Sequence, residues 1–232
     1  MAENNISVNN NMQAQMADIF RDTPIEAEKA NEYLSQFRML MTYYRCAMKE
    51  VVTKFEVLDE EFSLRHDRDP ISSIQSRLKS GSSIYEKLKR RKLPVSIESI
   101  ENNLADIAGI RVICPFLEDV YYLEKALLAQ DDVQLIERKN YIENPKSNGY
   151  RSLHLIIAVP IFLSHGKRIM KVEVQIRTIA MDSWASLEHQ LRYKKSFELS
   201  AEMEDELKYC ADLTNELDER MDTLRRKLFK YE

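Results

Sequence analysis

Two acidic residues stand in positions typical of metal-dependent phosphate chemistry. Asp106 comes just before the strand-like segment Ala-Gly-Ile-Arg, and Glu173 lies on the polar side of an alternating strand at 171–177. Because Mg²⁺ takes oxygen ligands, usually one or two protein carboxylates together with substrate phosphates, we expect this pair to bind Mg²⁺. The alternative is a structural ion pair between Glu173 and Lys171 or Arg177.

A row of cations with one hydroxyl group precedes the carboxylates. Its members are four, four and three residues apart: Lys79, Ser83, Lys87 and Arg90. This spacing places them on one face of a helix. The chain has four glycines and none of the glycine-rich phosphate-binding fingerprints, so side chains must hold any phosphates. The row predicts a triphosphate site, and a solvated helix face is the alternative.

A tight turn with the sequence Lys146-Ser-Asn-Gly-Tyr150 places a cation beside an aromatic ring, and His154 follows on the next strand. Such a pair suits a purine nucleotide, since the ring stacks on the base while the lysine neutralises phosphate. Taken alone, Tyr150 also fits a core position and His154 a hydrogen-bonded buried imidazole. Together with the carboxylates and the cationic row, the turn favours a site for nucleotides.

The spacing of apolar residues predicts the elements that position these groups. Helical periodicity predicts a long amphipathic helix from Tyr33 to Phe62, and a basic helix between the Ser-Gly-Ser-Ser start at 80–83 and Pro94. A further helix is predicted at 118–130, and strands at 110–116, 133–139, 153–159 and 171–177. We expect the last two strands to form an antiparallel hairpin. We therefore predict an α+β fold, a mixed sheet of about four to five strands flanked by helices.

Composition divides the chain into four parts. Residues 1–25 are an aperiodic tail rich in Asn, Gln and Met, 26–68 an N-terminal helical segment, 69–195 the domain with the chemistry-bearing residues, and 196–232 a C-terminal helix. In the C-terminal helix, apolar residues alternate spacings of four and three, which is a heptad pattern. This pattern can close on the same chain or form a subunit contact, and we expect a homo-oligomer.

Charge and cysteine usage limit the partners and the compartment. Net charge is −4, no apolar run approaches the ~18 residues of a membrane span, and the N-terminus lacks a basic-then-apolar leader. The three cysteines have no metal or disulfide spacing, so we expect reduced thiols and a cytoplasmic location. We expect neither a membrane nor a DNA partner. The basic stretch at 77–92 leaves single-stranded RNA as a weak alternative partner.

Two longer motifs carry a family resemblance. Asn-Tyr-Ile-Glu-Asn-Pro-Lys-Ser-Asn-Gly-Tyr-Arg-Ser-Leu-His from Asn140, then Val-Glu-Val-Gln-Ile-Arg-Thr, resemble the synthetase domain of the Rel/SpoT alarmone enzymes, and the match continues through a helix at 179–194. It covers roughly 70–195 and is similar to the small single-domain synthetases of Gram-positive bacteria. The resemblance implies a nucleotidyltransferase-like fold and a tetramer. It also implies transfer of the β,γ-pyrophosphoryl group of Mg-ATP to the ribose 3′ oxygen of GDP or GTP.

The resemblance further implies a role for each site residue. Adenine would lie between Arg77 and Arg111, and the ATP phosphates would be held by Lys79, Ser83, Lys87 and Arg90. Asp106 and Glu173 would bind Mg²⁺, and Glu173 would take the proton of the attacking hydroxyl. Tyr150 would stack on guanine, with the other acceptor contacts from Lys146, His154, Gln175 and Asp182.

The chain departs from the family pattern at two places. Asn140 stands where the family often has Asp, and the segment at 71–76 lacks the aromatic residue that lines an allosteric product site in some relatives. Activation by the product is therefore not expected. Two alternative functions stay open: a toxic relative that pyrophosphorylates adenosine nucleotides or tRNA 3′ ends, and a non-catalytic module that binds RNA or nucleotides.

Overall fold

The computed structural model describes residues 27–66, 68–193 and 200–228, so the tail predicted at 1–25 lies outside the described residues. The elements in chain order are α1 (Ala27–His66), β1 (Ser73–Leu78), α2 (Gly81–Arg90), α3 (Ile97–Asn103), β2 (Ala108–Cys114), α4 (Leu117–Leu128), β3 (Gln134–Asn140), β4 (Leu153–Leu163), β5 (Gly166–Thr178), α5 (Ile179–Tyr193) and α6 (Ala201–Leu228). Within these ranges, no helix has the length and apolar character needed to cross a bilayer.

The five strands form one sheet in the order β1-β2-β5-β4-β3. The central pair β2–β5 is parallel, and the other neighbours are antiparallel, including the predicted β4–β5 hairpin. The α+β fold with a mixed, helix-flanked sheet is therefore confirmed. The prediction missed edge strand β1 and the short helix α3. β1 was missed because its sequence is mostly polar and most of its residues are exposed.

The core lies between one face of the sheet and two helices. α1 crosses β1, β2, β4 and β5, and α4 packs against β2, β5 and α1. On this face, paired apolar residues from the central strands, such as Ile110 with Val174 and Leu155 with Val174, are almost fully buried. Because side chains alternate along a strand, the residues between them point to the opposite face.

Helix α6 buries three charged residues and exposes a row of apolar ones. It packs against α5 and α4, and its buried positions are Ala211, Asp218, Asp222 and Arg225. Arg225 pairs with Glu118 at the start of α4. Members of the predicted heptad pattern are instead exposed, for example Leu217 at 53% and Leu224 at 52%.

Candidate functional site

The polar face of the sheet brings together residues that lie far apart in the sequence. The register places Arg111 beside Gln175, and Gln175 beside His154. Two residues earlier on both strands, Gly109 lies beside Glu173. Residues predicted for the ATP site and residues predicted for the GDP or GTP site are therefore neighbours on three adjacent strands.

Two adjoining cavities open on this face. The first has a volume of about 350 Å³, within the range of ligand pockets. Its lining is Gln75, Ser76, Arg77, Lys79, Asp106, Gly109, Ile110, Arg111, Glu173 and Gln175. The second, of about 560 Å³, is lined by Lys79, Ser82, Ser83, Glu86, Lys87, Arg90 and Asp106. Because both contain Lys79 and Asp106, they form one groove.

Asp106 lies where the two cavities meet. Its Oδ2 accepts hydrogen bonds from Nζ of Lys79 at 2.5 Å and Nζ of Lys87 at 2.6 Å. Burial raises the pKa of Asp106, but the hydrogen bonds and charges of the two lysines outweigh it, so the pKa is lowered overall. Its Oδ1 is buried and has no hydrogen-bond partner among the residues that the structure describes. An anionic oxygen in that state is suited to a cation.

The predicted helical row is wrong at its first member. α2 begins at Gly81 after the N-cap Ser80, whose hydroxyl accepts a hydrogen bond from the Ser83 amide. Lys79 therefore lies in the loop before the helix. It still reaches the same carboxylate as Lys87, because β1 ends at Leu78 and delivers the loop to the site.

Glu173 is held by two polar neighbours. Gln175 Nε2 donates to Oε2 at 3.1 Å, and His154 Nδ1 lies 3.6 Å from Oε1. Burial raises the pKa of Glu173, but His154 and Gln175 outweigh it, so the pKa is lowered and the carboxylate is anionic at neutral pH. The alternative ion pair with Lys171 is not formed, since Lys171 donates to the Glu101 carbonyl.

Tyr150 connects this carboxylate to a buried arginine. Arg177 Nη2 donates to Tyr150 Oη at 2.8 Å, and the same oxygen lies 2.9 Å from His154 Nε2. The Tyr150 hydroxyl can donate to Nε2 while it accepts from Arg177, and in that tautomer the proton of His154 lies on Nδ1, facing Glu173. These contacts join Arg177, Tyr150, His154 and Glu173 in one chain.

Arg177 is a site residue that the sequence-based assignment missed. Its side chain is 3% exposed and donates to Gln175 Oε1 at 2.7 Å and Asp182 Oδ1 at 3.2 Å. Arg111 Nη1 lies 3.3 Å from the same oxygen of Asp182. The strand alternation did place Arg177 on the polar face with Glu173 and Gln175, which was the available signal.

The turn before β4 adds a small aromatic cluster. Lys146 Nζ lies 4.8 Å from the ring centroid of Tyr141 and 4.7 Å from that of Tyr150. Tyr141, a second residue that was missed, packs edge-on against His154 at 5.2 Å. Asn140 Oδ1 accepts from the amides of Ile142 and Glu143, so this departure from the family pattern shapes the turn.

All predicted site residues therefore line the groove or connect to it through these contacts. The cations Arg77, Lys79, Lys87, Arg90 and Arg111 border the cavities. Tyr150, His154, Lys146 and Asp182 lie beyond Gln175 and Glu173. The arrangement offers one cationic end, one aromatic end and two carboxylates between them.

Comparison with known proteins agrees with this geometry. Residues 76–198 match the family described as "Region found in RelA / SpoT proteins". The chain is 42% identical over 178 residues to GTP pyrophosphokinase YwaC of Bacillus subtilis (strain 168), covering 77% of this chain and 85% of YwaC.

Solved structures with the same fold include two from Bacillus subtilis. Small alarmone synthetase 2 has a TM-score of 0.75 at 38% identity, covering 82% of this chain and 98% of that one. Small alarmone synthetase 1 bound to its product pppGpp has a TM-score of 0.75 at 33% identity, covering 83% and 97%. With relatives of this identity aligned over most of both chains, the protein belongs to the RelA/SpoT family.

Proposed function

We propose that the protein is a GTP pyrophosphokinase that makes alarmones. It transfers the β,γ-pyrophosphoryl group of ATP to the 3′ oxygen of GDP or GTP, yielding AMP and guanosine tetra- or pentaphosphate. The observation that carries this proposal is the cation-lined groove that contains Asp106 and Glu173, together with the aromatic cluster of Tyr150 and His154 that adjoins it at Glu173. We assign the catalytic domain to residues 69–195.

The cationic end is assigned to ATP. Arg77 and Arg111 line the first cavity, where their planar guanidinium groups can stack on adenine. The phosphates then extend into the second cavity, toward the cations and the hydroxyl of Lys79, Ser83, Lys87 and Arg90. Charge neutralisation by these side chains is the main requirement for moving a pyrophosphoryl group.

The carboxylate pair fits Mg²⁺. Asp106 has a buried oxygen without a hydrogen-bond partner, and Glu173 lines the same cavity and is close enough for the two charges to interact. In the described part of the chain, no three acidic, histidine or cysteine residues cluster as a metal cage. A two-carboxylate site suits Mg²⁺, which usually completes its shell with phosphates and water. Bound there, Mg²⁺ would neutralise phosphate charge.

The aromatic end is assigned to the acceptor nucleotide. Tyr150 stacks on guanine, Asp182 contacts its edge, and Lys146, His154 and Gln175 bind the ribose and phosphates. Glu173 accepts the proton from the 3′ hydroxyl, for which its lowered pKa keeps it in the basic form. Arg177 orients Tyr150 and Gln175 through hydrogen bonds at 2.8 and 2.7 Å.

We also propose that the protein is a homo-oligomer, with a tetramer as the form that the family resemblance suggests. The exposed apolar residues of α6 are Met203, Tyr209, Leu213, Leu217, Met221, Leu224 and Leu228. A surface row of this length is unusual for a monomer. Light scattering on the purified protein tests the assembly, and Leu217→Glu should shift it toward the monomer.

A cytoplasmic location completes the proposal. Cys46, Cys114 and Cys210 are all free thiols. Unpaired cysteines are typical of reducing compartments.

The proposal is tested by product analysis. The protein is incubated with Mg²⁺, ATP and GDP or GTP, and nucleotides are resolved by anion-exchange chromatography. We expect AMP together with a more highly charged guanosine product, and we expect Glu173→Gln and Asp106→Asn to lose turnover while staying folded. Glu216→Gln, on the exposed side of α6, is the control. Retained activity in both site variants would exclude this mechanism, and AMP release only with adenosine nucleotides or tRNA would indicate the toxic branch.

A further inference from the structure

Helix α6 holds the segment around Tyr150. Arg151, the next residue, donates from Nε to Asn215 Oδ1 at 2.9 Å, and its Nη2 lies 3.4 Å from Asp212 Oδ1. On the other side of Tyr150, Gly149 approaches the helix so closely that an added Cβ would lie 2.5 Å from the Cβ of Ala211. The turn is therefore attached to α6 on both sides of the aromatic ring.

A second attachment lies at the junction of β5 and α5. Thr178 Oγ1 donates to Asp218 Oδ2 at 2.5 Å, and both side chains are buried. The same hydroxyl accepts a hydrogen bond from the Met181 amide and so caps α5. Thr178 directly follows Arg177, and the first turn of α5 carries Asp182. This attachment therefore holds the backbone that presents both residues.

The acceptor-side network lies between the two attachments. Arg177 joins Tyr150 to Asp182 by direct hydrogen bonds. The space left between the turn, α5 and α6 is about 10 Å³, at most enough for one water molecule, so the three parts are closely packed. Movement of α6 would consequently be transmitted to the turn and to the start of α5.

The phosphate end of the donor side is distant from this helix, and its adenine end is linked to it only indirectly, by the ion pair of Arg111 with Asp182 at 3.3 Å. Among the described residues, the hydrogen bonds and ion pairs of α6 lead to the turn, to the β5–α5 junction and to α4 and α5. Lys79 and Lys87 lie on the other side of the groove and pair with Asp106. Loss of the α6 attachments should therefore weaken ATP binding much less than acceptor binding.

We propose that Asn215 and Asp218 are positioning residues for the acceptor nucleotide. Through Arg151 and Thr178 they hold the backbone that presents Tyr150, Arg177 and Asp182. α6 thereby affects the affinity for GDP or GTP much more than the affinity for ATP. This inference rests on the proposed pyrophosphokinase function.

The test uses two substitutions that each remove one attachment from the full-length protein. Asn215→Ala removes the acceptor for Arg151, and Asp218→Ala removes the acceptor for Thr178. We expect each to raise the KM for GDP about five- to tenfold and to change the KM for ATP less than twofold. An increase of this size is expected when one or two hydrogen bonds that orient a binding site are lost. Asp218→Asn keeps an acceptor oxygen for Thr178 and should restore most of the GDP affinity.

A matched control separates positioning from simple stability. Glu216 is exposed on α6 and pairs with Arg220 of the same helix, so Glu216→Ala should leave both KM values unchanged. A purely structural role for Asn215 or Asp218 would lower the folded fraction, and with it kcat, without moving either KM. Unchanged KM values for GDP, or equal increases for GDP and ATP, would overturn the inference.

Calorimetric titration with GDP alone makes the test independent of turnover. If the wild type binds GDP but releases no AMP, the proposed function fails, and the relative GDP affinities of the variants still decide the inference. If the wild type binds neither GDP nor GTP, both are refuted. Circular dichroism checks folding; if Asp218→Ala is unfolded, Asn215→Ala, at a half-exposed position, carries the test.

Discussion

Replacement of Gly149 by alanine tests how closely α6 is packed against the turn before β4. Gly149 has φ +87°, a conformation that costs an L-residue about 1 kcal/mol or more. The added Cβ would lie 2.5 Å from the Cβ of Ala211, whereas carbon atoms normally approach to about 3.5–4.0 Å. Relieving that overlap requires a movement of about 1 Å, and overpacking of this kind costs about 1–3 kcal/mol. The expected loss of unfolding free energy is therefore about 2–4 kcal/mol.

Gly166→Ala is a control that isolates the backbone contribution. Gly166 also has a positive φ, +132°, but no atom lies within 4 Å of the position that its Cβ would take. This substitution therefore introduces strain without overlap. Urea unfolding of both variants, monitored by circular dichroism, should show that Gly149→Ala is the more destabilising by about 1–3 kcal/mol.

A double-mutant cycle with Ala211→Gly isolates the steric contribution. The second substitution removes the colliding Cβ, although glycine within a helix costs about 1 kcal/mol by itself. The two changes together should therefore cost less than the sum of the single changes, with a coupling of about 1–3 kcal/mol. Additive effects, or equal losses for Gly149→Ala and Gly166→Ala, would show that the turn and α6 are not in close contact.

Three further outcomes are expected. Lys87→Ala should raise the KM for ATP about tenfold or more with little change for GDP, because it removes a cation from the phosphate end of the groove; equal changes would refute that assignment. Tyr150→Phe should raise the KM for GDP about threefold to tenfold, since the ring remains but its hydrogen bonds to Arg177 and His154 are lost; calorimetry with GDP checks this. Burial, with the charges of neighbouring carboxylates, raises the pKa of Asp218 to about 6. Folding therefore favours the protonated form of Asp218. The unfolding free energy that this protonation contributes is fully present below the unfolded pKa of 3.8 and is lost as the pH rises through about 6. Asp218→Asn should consequently stabilise the protein at pH 8 by about 1–2 kcal/mol, after allowance for residual solvent contact, and by less at pH 5. If urea unfolding gave the same stabilisation at both pH values, this reasoning would be contradicted.

Local patterns in the sequence were sufficient for most of the elements and for the chemistry of the groove. Alternation predicted β5, and helical periodicity predicted α1, because a strand or helix with one buried face repeats its apolar residues at its own period. β4 was predicted from its apolar residues at 153–159, which are buried on both faces over most of the strand. β1 has no such repeat, since it is a polar edge strand, and it was missed. The assignment of the carboxylates and cations came from residue type and motif, and the structure brings them to one groove.

The orientation of α6 depended on tertiary structure. The heptad pattern predicted an apolar seam but left open whether it faces the same chain or another subunit. In the folded protein, buried Asp218 and Asp222 face inward, where Thr178 and Arg225 hold them, and the apolar residues face outward. The polar face of a helix can be the buried face when hydrogen-bond partners inside the fold satisfy it. The spacing of apolar residues alone cannot show this.

The sequence by itself supplied the candidate residues for the chemistry and, for β5, the face of the strand on which they lie. Tertiary structure decided which of them meet. Arg177 pairs with Tyr150 across 27 residues of sequence, and Arg151 pairs with Asn215 across 64. Such contacts follow from strand register and helix docking, which are set by the packing of the whole core and leave no repeat in the local sequence.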